Sequence, residues 1–178
     1  MTPEQALERA GLTLSIPRPA VRSWARTVRT GSLVFVSGQG PFVGGEIVHP
    51  GKLGAELTVD VGRKEAEVTI LNILGMLKAE LGELSRISRF VRVLVFVNST
   101  PDFTEHHLVA EGATDLLVKV FGDIGRAALA EVGVASLPFN GAVEIETVAE
   151  VDEGASPGNG SDLGGYGAAG TDGVSGPN

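Results

Sequence analysis

The run from Arg89 to Val97 (RFVRVLVFV) constrains the fold more than any other stretch of the chain. Its apolar residues fall on odd and even positions alike, and most are β-branched or aromatic. That pattern predicts a strand covered on both faces, and so central in a sheet. Leu33 to Val36 is a second such run, closed by Ser37-Gly38-Gln39-Gly40-Pro41. Between them the period changes. Ala66, Ile70, Ile73, Leu74, Leu77 and Leu81 share one helical face, with Lys64, Glu65, Glu67 and Lys78 off it and Thr58 or Asp60 as the N-cap. Val109, Ala113, Leu116 and Val120 mark another helix, which Gly122 should stop.

The remaining elements are shorter. Pro3 to Ala10 reads as a helix ending at Gly11, Arg22 to Arg29 as a strand, and Thr30-Gly31 as a turn. Glu46 to His49 reads as a short strand after the Gly44-Gly45 turn. Val132–Ala135 and Val143–Ala149 are further strands. Asn140-Gly141 between them suits a hairpin turn, since both residues tolerate positive φ. The order β-β-α-β-α-β-β, with two helices on one face of a mixed sheet, gives a two-layer α+β domain.

A composition shift divides the chain. Residues 1–151 carry the apolar periodicity and are expected to form one domain. Residues 152–178 are Gly-rich and acidic, with almost nothing apolar to bury, which predicts a disordered tail. There is no cysteine, so disulfides, thiolate metal sites and a cysteine nucleophile are excluded. With three histidines, a His-rich metal site is hard to build, and none is expected; His106 and His107 read as exposed surface. The formal net charge of −8 argues against nucleic acid as a partner, although Arg22, Arg26 and Arg29 lie close together. The start of the chain resembles no signal peptide and no run is long enough to span a membrane, so a cytoplasmic location is expected.

General catalytic motifs are missing: there is no phosphate loop, dinucleotide glycine fingerprint, His-Glu-x-x-His pattern or nucleophile elbow. Three stretches carry a resemblance instead. They are Leu33–Pro41 (LVFVSGQGP), Ala113–Gly122 (ATDLLVKVFG) running on to Gly125-Arg126, and Val132–Pro138 (VGVASLP) followed by Val143–Ala149 (VEIETVA). Together they resemble the reactive-intermediate deaminase (Rid, YjgF-like) family, in the branch with an N-terminal extension helix. The resemblance implies a chorismate-mutase-like fold in a barrel-like homotrimer, with small-molecule clefts between subunits. It also implies cofactor-free hydrolysis of imines or enamines. In that scheme an arginine holds the substrate carboxylate and a water near a glutamate attacks the imine carbon.

Carried over residue by residue, the resemblance makes Glu144 the catalytic carboxylate and keeps Ser37, Gly38 and Gln39 in the substrate site. Trp24 takes the place of the usual tyrosine, and Glu111 that of an asparagine opening the second helix. The carboxylate-binding arginine is replaced by Leu129, and the adjacent serine by Ala130. Arg126 matches an additional arginine upstream of that position, and Arg26 could reach the cleft from the strand that bears Trp24. A carboxylate buried against Leu129 lacks a charge partner, and Glu111 and Glu131 nearby would repel it. A neutral or cationic substrate fits better, with Glu144, Glu111 and Glu131 available for acid–base work. For Glu144, Glu146 and Glu150 a wet strand face is the alternative, as are surface for Glu111 and Glu131 and interface packing for Trp24. Two functional classes stay open. One is a tailoring enzyme acting on a small imine, enamine or carbonyl compound, and the other a non-catalytic ligand-binding or chaperone-like trimer.

Overall fold

The structure is a computed structural model that describes residues 1–15 and 23–152. The tail from residue 153 and the Arg22 end of the expected first strand lie outside the described residues. Helix α1 (Pro3–Arg9) opens with a capping box in which Thr2 accepts from the Gln5 amide and the Gln5 side chain binds back to the Thr2 N–H. Strands β1 (Thr27–Thr30) and β2 (Leu33–Gln39) form a hairpin, followed by a two-residue ribbon, β3 (Phe42–Val43) and β4 (Glu46–Ile47). Helix α2 (Val59–Leu81) starts at Thr58, whose hydroxyl accepts from the Val61 N–H at 3.3 Å. It ends at Gly82 with φ +82°. Strand β5 (Ile87–Asn98), helix α3 (His106–Phe121), β6 (Ala128–Val134) and β7 (Val143–Val151) complete the domain.

The sheet order is β1-β2-β7-β5-β6, with β5 and β6 parallel and the other neighbours antiparallel. The central position read from the apolar run holds, since β5 lies between β7 and β6. The expected hairpin does not form. β6 and β7 are not neighbours, because β5 separates them, and Gly141 has φ −63°. The positive-φ pair is Phe139 (φ 57°) and Asn140 (φ 56°), which turns the chain over the end of β5. The first strand is also shorter than Arg22–Arg29, since Ser23 and Trp24 form a bend before Thr27.

Both long helices cover one face of the sheet. Ile70, Ile73, Leu74 and Leu77 of α2 and Val109, Ala113 and Leu117 of α3 are fully buried. They meet Val34, Val93, Val95, Ile145 and Ala149, also fully buried, from the sheet. Each valine, leucine or isoleucine among them contributes about 1.5–3 kcal/mol of burial. The two helices approach closely because Gly112 of α3 lies on the Arg63 carbonyl, where any Cβ would collide. Among the described residues no helix is long and apolar enough to cross a membrane.

Candidate functional site

The site is built on an irregularity in the β2–β7 ladder. Val36 pairs with Thr147 and Gln39 with Ile145, so Ser37 and Gly38 together oppose one residue of β7. Such a bulge bends the strand and lifts residues out of the ladder. Its geometry is held by side chains. Gln39 Nε2 donates to the carbonyls of Ser37 (2.9 Å) and Gly38 (2.8 Å). Ser37 Oγ donates to the Ala25 carbonyl at 2.7 Å, and the Ser37 N–H donates to the Arg26 carbonyl at 2.9 Å. The segment bearing Trp24 and Arg26 is thereby docked on the bulge. Trp24 is 47 % exposed, and burial lowers the proton affinity of the Arg26 guanidinium.

Gly38 meets Glu144. A Cβ at Gly38 would lie 3.0 Å from Glu144 Cδ and would collide with Oε1, so only glycine lets the carboxyl settle there. Glu144 pairs with Phe96 of β5, on the face away from the helices. Burial raises its proton affinity above the ordinary carboxylic value, and repulsion from Glu146, two residues on along the same face, adds to the effect. A half-buried carboxyl with raised affinity, beside an irregular strand and an exposed indole, is the arrangement expected of an acid–base site.

A family model described as YjgF/chorismate mutase-like, putative endoribonuclease matches residues 4–151. The chain belongs to the YjgF family. It is similar to protein TCP17 of Trypanosoma cruzi, with 42% identity over 149 residues, covering 82% of this chain and 92% of that protein. Among solved structures it is similar to Atu1372 of Agrobacterium tumefaciens, a protein of unknown function. The identity is 40% and the TM-score 0.79, and the match covers 85% of this chain and 94% of that one. RidA from the Antarctic bacterium Psychrobacter sp. PAMC 21119 aligns at 25% identity and TM-score 0.51, over 74% of this chain and 91% of its own.

Other residues singled out in the sequence fall elsewhere in this YjgF-family chain. Leu129 and Glu131 lie in register with Val93 and Val95, both fully buried under the helices. They therefore sit on the helix side of the edge strand β6, on the opposite face of the sheet from Glu144. Glu111 is bound by Arg63 of α2, whose other nitrogen reaches Asp115 at 2.9 Å. That ion pair ties α3 to α2 and occupies the carboxylate. Arg126 pairs with Asp123 at 3.1 Å, beside a cavity of about 460 Å³ that Arg89 and Ile124 also line. Within one chain, then, the structure joins Ser37, Gly38, Gln39, Glu144 and the Trp24–Arg26 segment. It does not bring Glu111, Glu131, Leu129 or Arg126 to them.

Two polar features carry no sequence signal of their own. His106 is not the exposed residue expected: its Nε2 lies 3.2 Å from Ser99 Oγ and its ring stands edge-on to Phe103. His107 is exposed, as expected. Asn98, fully buried at the end of β5, donates to the Gly51 carbonyl and to Asn140 Oδ1, each at 3.1 Å, and accepts from Lys52 Nζ at 2.6 Å. The buried asparagine ties the Gly51-Lys52 loop to the Asn140 loop, and only pairing across the fold reveals it.

Proposed function

We propose that this chain is an imine or enamine hydrolase whose cleft forms between copies of itself in a homotrimer, and whose substrates are not ordinary 2-imino acids. The observation that carries the reading is the carboxyl of Glu144, seated against Gly38 with its proton affinity raised by burial. In hydrolysis a water adds to the imine carbon, its proton passes to Glu144, and the C=N bond becomes the C–N bond of a carbinolamine. Glu144 then returns the proton to nitrogen, the C–N bond breaks as the carbinolamine hydroxyl gives its proton to the departing nitrogen, and ammonia or an amine leaves with a carbonyl compound behind. A carboxylate with raised affinity is the stronger base for the first step. No cofactor enters this chemistry.

The assembly is supported by the sheet itself. Val28, Phe35, Val91 and Val132 are each more than a third exposed on strands of one domain. A second and third copy covering the open face would bury them, and packing against the edge strand β6 would bring its exposed residues, among them Leu129 at 42 % exposure, toward Glu144 of another chain. Within such a cleft Leu129 would offer no charge to a substrate carboxylate, where an arginine fork would add roughly 1.5–3 kcal/mol. The endoribonuclease in the family's description finds no support in a chain of formal net charge −8.

The test is ammonia release from freshly generated imines. Wild-type protein should consume neutral or cationic imines, and Glu144→Gln should lose about a hundredfold in rate. Hydrolysis of 2-iminopropionate should run no faster than in buffer, and Leu129→Arg should restore it in part. Undiminished turnover by Glu144→Gln removes the reading. Robust wild-type turnover of 2-iminopropionate that survives Arg26→Ala removes the argument from Leu129. Saturable binding of a small ligand without any ammonia release would support the binding-only alternative.

A further inference from the structure

The loop between β6 and β7 holds an exposed phenylalanine in a conformation its side chain disfavours. Phe139 is 73 % exposed, at φ 57° and ψ 18°, and Asn140 follows it at φ 56°. Asparagine tolerates the left-handed region, but a phenylalanine there is strained, and such strain persists only where the surroundings impose it. Here they do. The buried Asn98 holds Asn140 Oδ1, the Gly51 N–H holds the Asn140 carbonyl at 2.8 Å, and Lys52 Nζ ties Asn98 to the Ala135 carbonyl. A buried polar network thus keeps a bulky apolar ring pointed away from the core.

The ring is not alone. Phe42 stands edge-on to it, with centroids 5.6 Å apart and an interplanar angle of 79°. Phe42 in turn lies across the backbone of Gly40, where a Cβ would come within 3.0 Å of its ring. Asn72 Nδ2 of α2 fixes that segment by donating to the carbonyls of Gly40 (3.0 Å) and Phe42 (3.1 Å). Both aromatic residues therefore belong to preorganised loops at one end of the β2–β7 ladder. Phe42 comes just after Gly38, and Phe139 just before Glu144, the two residues that meet in the site.

We propose that Phe139, supported by Phe42, is the specificity-determining wall of the cleft, and that it selects a cationic substrate built on an aromatic group and lacking a carboxylate. The inference rests on the reading that Glu144 faces the substrate. Glu144 and Glu146 supply negative charge at the ladder end, and an aromatic face attracts both a planar ring and a neighbouring cation. An iminium or ammonium group directed at Glu144, with its aromatic body against Phe139, satisfies both. The strained turn then has a purpose that packing does not give it.

The experiment uses benzylammonium as a probe that cannot be hydrolysed, with binding read by calorimetry and by the fluorescence of Trp24, the one tryptophan of the chain. Wild-type protein should bind it saturably and should not bind phenylacetate, which has the same ring and the opposite charge. Phe139→Ala should weaken binding about tenfold, and Phe139→Tyr should stay within about twofold of wild type. Melting temperature and sedimentation mass should be the same for all three. Equal affinity of wild type and Phe139→Ala, or equal binding of phenylacetate and benzylammonium, overturns the proposal. So does a fall in assembled mass for Phe139→Ala, which would assign the ring to a subunit contact. The ammonia assay separates this inference from the hydrolase reading. Phe139-dependent binding without turnover of any imine removes only the hydrolase, whereas turnover without Phe139-dependent binding removes only the wall.

Discussion

The two faces of β7 differ in burial and in charge. On β7, Val143, Ile145, Thr147, Ala149 and Val151 point to the helices and are at most 2 % exposed, whereas Glu144, Glu146, Val148 and Glu150 point away and remain accessible. The same alternation runs through β2, where Val34 and Val36 are buried and Phe35 is 44 % exposed. One face is filled by α2 and α3. The other mixes carboxylates with uncovered apolar side chains, a combination poorly suited to water alone and well suited to an assembly with charged clefts. The helix face sets stability, and the proposed function places the chemistry on the open face.

That division is sharpest where a core ring is removed. Phe90 is 1 % exposed, and it packs edge-on to Phe121 of α3 with centroids 5.0 Å apart. Phe90→Ala should cost about 3–5 kcal/mol, the range for a buried aromatic ring that leaves a cavity. The equivalent truncation on the other face, Phe35→Ala, should cost far less in a chain held as a monomer. Chemical denaturation of both variants checks the contrast, and similar losses would show that the faces are not energetically distinct.

A smaller effect of opposite sign tests the same face from within. Thr147 is 2 % exposed, and its hydroxyl has no hydrogen-bond partner among the described residues. A buried hydroxyl without a partner costs free energy that a methyl group does not. Thr147→Val should therefore stabilise the domain by about 1 kcal/mol. A loss of stability in urea would mean that the hydroxyl is satisfied in solution.

Legibility in the sequence follows the same division. The helix face was readable because its residues repeat with a helical or strand period: Ile70, Ile73, Leu74 and Leu77 declare α2, Thr58 or Asp60 its start, of which the structure uses Thr58, and Gly122, at φ +63°, the end of α3. Pairing over long separations was not readable. Asn140-Gly141 has local turn chemistry, but β7 pairs with β2 and β5, and no local signal carries that choice. The bulge at Ser37-Gly38 has no period either, so Glu144 was identified through resemblance and its contact with Gly38 only through the structure. In the sequence Glu111 and Glu131 read as acids near it. The one is occupied by Arg63 and the other lies across the sheet, and neither fact is visible without the register.

The smallest effect concerns Glu144 itself, and it asks whether the open face sacrifices stability for reactivity. Burial and Glu146 hold the proton affinity of Glu144 above its ordinary value of 4.5, so the folded chain binds this proton more tightly than the unfolded chain does. The favourable contribution is then fully present below the unfolded pKa and is lost as pH rises through the higher folded value. At neutral pH the carboxylate is a small burden on the fold. Glu144→Gln mimics the protonated state, so it should match wild type in melting temperature near pH 3.5 and exceed it at pH 7. Solvent reaches much of this side chain, and screening limits the gain to a few tenths of a kcal/mol. The same substitution should slow imine hydrolysis about a hundredfold. A residue whose loss raises stability and removes activity is retained for chemistry, whereas a structural carboxylate would lose stability when replaced. Equal or lower stability of Glu144→Gln at pH 7, with the two proteins matched at pH 3.5, would place Glu144 among ordinary surface residues and return the open face to assembly alone.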